Sequence, residues 1–142
     1  MSAAVQLVTE SLQQAADAEP DIYAVAFERY FQLCPESREL LQHTDDLMRG
    51  RMMEQVMSLL MDEDAQSLDN YFRFEVGNHE SYGALPHMYV HLFQACREVV
   101  EEVVQEAVKH NSADGFSQEM ARAWEEQIGV LLAMIKRYSQ PD

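Results

Sequence analysis

Residues 68–89, LDNYFRFEVGNHESYGALPHMY, constrain the fold of this chain more than any other stretch. Leu68, Phe72, Val76 and His79 follow at intervals of four, four and three, so the period predicts one helical face that ends on an imidazole. The helix is predicted to stop near Ser81, because Gly83 stands where a left-handed residue closes a helix. Pro86 then opens a second helix, since its missing N–H has no intrahelical partner in a first turn. A histidine in such a corner can offer a neutral ring nitrogen to a metal in a dry pocket. The plainer reading is a structural histidine with a satisfied hydrogen bond, and from this stretch alone that reading weighs more.

The rest of the chain also reads as helices. Val5, Val8, Leu12 and Ala15 form a first apolar stripe. Residues 19–21, Glu-Pro-Asp, break it, and Tyr23, Phe27, Tyr30 and Phe31 put aromatic bulk on one face of the next helix. Pro35 ends that helix, and residues 36–41 form a short turn of helix. Residues 42–46 are polar and connecting, with Thr44 as a candidate N-cap. Residues 47–61 hold five of the nine methionines. Met48, Met52, Val56 and Leu59 make one stripe, and Met53, Met57 and Leu60 make a second beside it. Thioethers fill irregular gaps, so a soft core wall outweighs a ligand-pocket wall on periodicity alone. Arg49, one turn before Met53, can snorkel to solvent or swing over a pocket.

A long helix is expected over residues 86–110, with Tyr89, Phe93, Cys96, Val100, Val103 and Ala107 on its buried face. After a loop at 111–115, Ser117 caps a last helix striped by Ala121, Trp124, Ile128, Leu131, Ile135 and Tyr138. No strand pattern competes, and 142 residues suit one domain, 1–142, with one core. Its 25 acidic against 10 basic residues give a net charge of −15, which opposes binding to nucleic acid or an anionic membrane surface. No apolar run is long enough to span a membrane. The N-terminus has no basic flank or long apolar core, so a cytoplasmic location is expected. Cys34 and Cys96 read as buried thiols. No CxxC or paired Cys/His spacing marks structural zinc, and the four-residue interval between His87 and His91 is common by chance. Glu98, Glu101, Glu102 and Glu106 read as a solvated helix face. No phosphate loop or serine elbow is present.

Four pieces, taken in order, resemble a globin of the bacterial single-domain haemoglobin-like kind. They are YAVAFERYFQLCPESRELL, MRGRMMEQVMSLLM, EVGNHESYG followed by ALPHMY, and SQEMARAWEEQIGVLLAMI. The resemblance implies an all-α globin fold of six to seven helices around a haem pocket, with haem b as cofactor. It implies that His79 is the proximal iron ligand. It places Phe72 and Val76 on the proximal helix, Leu85 at the apolar corner, and Tyr89 and Phe93 on the following helix. On the distal side it implies Phe27, Leu41, Arg49 and Met53, with Met57 as a further apolar neighbour. A slip of one residue would instead bring up Met48 and Met52. The chain departs from the globin pattern at Leu41, where a haem-wedging phenylalanine is usual. It departs again at Glu75, which is read either as a snorkelling carboxylate or as a partner for the outer imidazole nitrogen.

The function implied is binding or sensing of a small diatomic or anionic ligand, oxygen included, at haem iron, without turnover. One alternative is a haem-free globin-fold module that regulates through partner contacts. Another is a haem enzyme, such as a nitric oxide dioxygenase or weak peroxidase, which would require an external reductase.

Overall fold

A computed structural model describes residues 2–109 and 115–139. Among these residues the secondary structure is entirely helical, in seven α-helices. They are α1 (Ala3–Ala18), α2 (Ile22–Leu33), α3 (Pro35–Leu40), α4 (Asp46–Leu60), α5 (Ala65–Ser81), α6 (Pro86–Val108) and α7 (Gln118–Tyr138). The expected end of α6 at His110 and most of the loop after it lie outside the described residues.

The helix starts follow side-chain chemistry. Ser2, Asp45, Asp64 and Ser117 each accept a hydrogen bond from an orphan backbone N–H of the first turn of α1, α4, α5 and α7. Asp45 therefore takes the capping role expected of Thr44. The Thr44 hydroxyl instead donates to the Leu41 carbonyl at 2.6 Å, closing the corner between α3 and α4.

Packing follows the apolar stripes. α1 lies against α7 and α6, α2 crosses α6, and α5 lies against α7. Val5, Val8, Leu12 and Ala15 are all buried, as their spacing implies. Trp124 is fully enclosed and donates its indole N–H to Ser11 Oγ at 2.8 Å, so the largest core side chain also has its one donor satisfied. On α6 the stripe is wider than expected. Met88, Ala95, Val99 and Val104 are buried beside Phe93, Cys96 and Val100, while Val103 and Ala107 are only partly covered. A helix packed by neighbours on two sides buries more than one stripe. Surface charges tie elements together, as where Arg29 of α2 pairs with Glu98 and Glu102 of α6 at 2.9 and 2.6 Å. No helix among the described residues is long and apolar enough to cross a membrane.

Candidate functional site

The corner between α5 and α6 fixes the position of His79. Gly83 has φ of 99°, the left-handed conformation that a glycine adopts without steric cost. Its N–H donates to the Glu80 carbonyl at 3.0 Å, and the Ala84 N–H donates to the His79 carbonyl at 2.9 Å. This paired closure is a Schellman cap, and it holds His79 in the last turn of α5. The imidazole is set separately. Its Nδ1 lies 2.7 Å from the backbone carbonyl of Glu75. A carbonyl can only accept, so Nδ1 carries the proton and the neutral ring keeps its lone pair on Nε2. The Glu75 carboxylate is farther from the same nitrogen, at 3.9 Å. Thus the main chain of Glu75, rather than its side chain, orients the ring.

His79 lines a cavity of about 430 Å³, within the usual range of small-molecule and cofactor sites, roughly 300–1,000 Å³. Phe27 and Tyr30 of α2 form one wall, with Leu40 and Leu41 at the end of α3. Met52, Val56 and Leu59 of α4 form the second, and Tyr71, Phe72 and Val76 of α5 the third. Ala84 and the α6 residues Met88, Tyr89, Leu92 and Phe93 complete it. Its few polar groups are the phenols of Tyr30, Tyr71 and Tyr89 together with Arg51, Gln55, Glu75 and His79.

Of the residues picked out from sequence, Phe27, Leu41, Met52, Phe72, Val76, His79, Tyr89 and Phe93 converge on this cavity. Arg49, Met53 and Leu85 do not. Arg49 is folded back onto its own corner, donating from Nε to Thr44 Oγ1 at 2.8 Å and from Nη2 to the Leu41 carbonyl at 3.2 Å. Its guanidinium also sits 5.1 Å from the centre of the Phe31 ring. Met53 is fully buried on the other side of α4, with its sulfur 3.6 Å from Cys96 Sγ. Met57 is buried on that side too, whereas Met48 is exposed. Leu85 is exposed, and Ala84 takes the cavity side of the corner. The rotation of α4 explains the change: its Met52–Val56–Leu59 stripe faces the cavity, and its Met53–Met57–Leu60 stripe faces the core. Arg51 and Gln55 flank the cavity-facing stripe. They are cavity-lining donors that the sequence alone did not single out, and their spacing of one residue from Met52 and Val56 was the available sign.

Burial and then neighbouring negative charge push the phenols of Tyr71 and Tyr89 up, so both stay neutral at physiological pH. The Tyr89 hydroxyl is buried and makes no hydrogen bond to any described residue. A buried hydroxyl without a partner is uncommon in a finished core and suggests space for a polar atom of a ligand. The ring of Tyr89 stands edge-on to His79, with centroids 6.4 Å apart.

The donor set fits haem in most respects. There is a lone-pair imidazole nitrogen, a mainly apolar wall rich in aromatic rings, and one cation, Arg51, suited to a propionate. Glu75 is the one misfit, because a carboxylate beside a propionate is repulsive. Together the helices and cavity define an all-α protein with a histidine-lined apolar pocket. No protein-family model matches the chain, and no curated protein matches it.

Proposed function

We propose that the protein is a globin-like, non-enzymatic haem protein that binds or senses a small gaseous or anionic ligand. The reading rests chiefly on one observation: Nδ1 of His79 is committed to the Glu75 carbonyl at 2.7 Å, in a cavity walled mainly by apolar and aromatic side chains. Haem b, when bound, supplies an iron centre at which a diatomic or anionic ligand can coordinate.

The protein's own residues would do the following. His79 would hold the iron through Nε2, in the one tautomer that the main chain selects. Phe72, Val76 and Phe93 would pack against the group and exclude water. Phe27, Leu41, Met52, Val56 and Leu59 keep the far side apolar. Arg51 and Gln55 offer N–H donors near the rim of that far side, so a charged or polarised ligand is favoured there over a neutral one. Physiological use of such binding fits a cytoplasmic protein, and any turnover would need electrons from an external reductase.

The experiment is a haem titration of the wild type and His79→Ala, followed by absorption spectroscopy. The wild type should take up one equivalent, and His79→Ala should lose the axial histidine spectrum, with partial recovery on adding imidazole. A wild type that stays colourless in excess haem would overturn the reading. A haem-free module is the second reading, favoured by the exposed rings of Phe74, midway along α5, and Tyr82 at its C-cap, which are 71% and 81% accessible.

A further inference from the structure

We propose that Cys34, Glu36 and His87 form a separate metal site suited to zinc, where the α2–α3 corner meets the start of α6. This inference does not rest on the haem reading.

The fold, and not the spacing of residues in sequence, makes the cluster. Cys34 serves as the junction of two helices: its N–H closes α2 on the Tyr30 carbonyl, and Pro35 follows it as the first residue of α3. Ser37 donates to the Cys34 carbonyl at 2.6 Å and stiffens the turn. The packing of α2 on α6 then brings His87, in the first turn of α6, against this corner. Cys34 Sγ lies 3.7 Å from Glu36 Oε1, and Glu36 Oε1 lies 2.5 Å from His87 Nε2. The ligating atoms of all three residues fall within 4.8 Å of one another. Around tetrahedral zinc, with bonds of about 2.0–2.3 Å, ligand atoms stand roughly 3.3–3.8 Å apart. The three groups therefore need only small side-chain adjustments to enclose an ion.

The sulfur is the second observation. Cys34 is 2% exposed, yet its Sγ faces the Glu36 carboxylate. A simple ion pair between Glu36 and His87 would not account for a buried sulfur beside the carboxylate, whereas a thiolate ligand does. His91 stands one helical turn after His87, with ring centroids 6.3 Å apart, and lies outside this three-residue group.

One thiolate, one carboxylate and one imidazole, with the fourth position open to water, make a borderline-soft set that matches zinc better than magnesium or calcium. The protein's net charge of −15 also draws cations toward it. The thiol must lose its proton to bind. Zinc uptake should therefore strengthen as pH rises and should release a proton.

The test uses the purified full chain, stripped with chelator and dialysed against zinc, with X-ray absorption at the zinc edge. The wild type should retain one zinc with one sulfur neighbour at about 2.3 Å. Cys34→Ser should lose the sulfur shell, and both it and His87→Ala should bind at least about tenfold more weakly, since even outer-shell changes at metal sites cost that much. His87 is exposed, so its substitution leaves the fold intact should Cys34→Ser fail to fold. His79→Ala should retain zinc as the wild type does. Absence of retained zinc, a shell without sulfur, or undiminished binding by His87→Ala would overturn the proposal.

Discussion

Arg49 and Arg51 lie two residues apart, yet the structure gives them different work, and paired substitutions can separate the two roles. Arg51 lines the cavity, so Arg51→Leu removes the one guanidinium there. Losing a charge-assisted contact costs about 1.5–3 kcal/mol in a shielded setting. Arg51 is exposed, which argues for the lower end, about 1.5 kcal/mol or roughly tenfold in affinity. Ferric azide binding by the haem-loaded protein should weaken by that factor, while ferrous carbon monoxide binding, with a nearly neutral ligand, should change much less. Arg49→Leu should do the reverse. It breaks the bonds to Thr44 and the Leu41 carbonyl and the contact with Phe31, so it should cost roughly 2 kcal/mol of stability. The melting temperature should then fall by about 5–10 °C, with azide affinity nearly unchanged. The assays are spectroscopic ligand titration and thermal unfolding of each variant. Equal effects of Arg51→Leu on azide and carbon monoxide would refute a charge-specific role. A loss of azide affinity confined to Arg49→Leu would refute the orientation of α4 described above.

Other expectations follow from neighbouring parts of the structure. Leu41→Phe adds a ring at the cavity wall and should slow haem transfer to a scavenger protein, because an aromatic face packs against porphyrin better than a branched aliphatic. Trp124→Phe removes the buried donor to Ser11 and leaves a void, so denaturant unfolding should show a loss of about 2–3 kcal/mol. Asp69 of α5 accepts from the Tyr138 hydroxyl at 2.5 Å and pairs with Arg73 and Arg137. The Tyr138 hydroxyl, chiefly, and then Arg73 hold its carboxyl below the usual carboxylate range. A depressed folded value stabilises the protein above the unfolded value, about 3.9, and that contribution fades as pH falls through the folded one. Asp69→Asn should therefore flatten the acid limb of a stability-against-pH curve and leave unchanged the slope near neutral pH.

The sequence by itself determined the helices, because helix formation leaves local marks. Gly83 and Pro86 bracket the α5–α6 corner, Ser117 caps α7, and the stripes of α1 and α5 repeat at helical spacing. It also brought His79 to attention, since the spacing from Leu68 through Phe72 and Val76 is itself a local pattern. Tertiary structure alone decided which face of α4 meets the cavity. Two apolar stripes lie side by side on that helix, and only packing against α2 and the α6 thiol Cys96 selects between them. The same limit hid Arg51 and Gln55, and it made Arg49 look like a pocket residue although Thr44 and Leu41 hold it elsewhere. Cys34, Glu36 and His87 were also illegible as a group. Residues 34 and 36 meet residue 87 only because α2 crosses α6, and no periodicity within one helix records a contact between two.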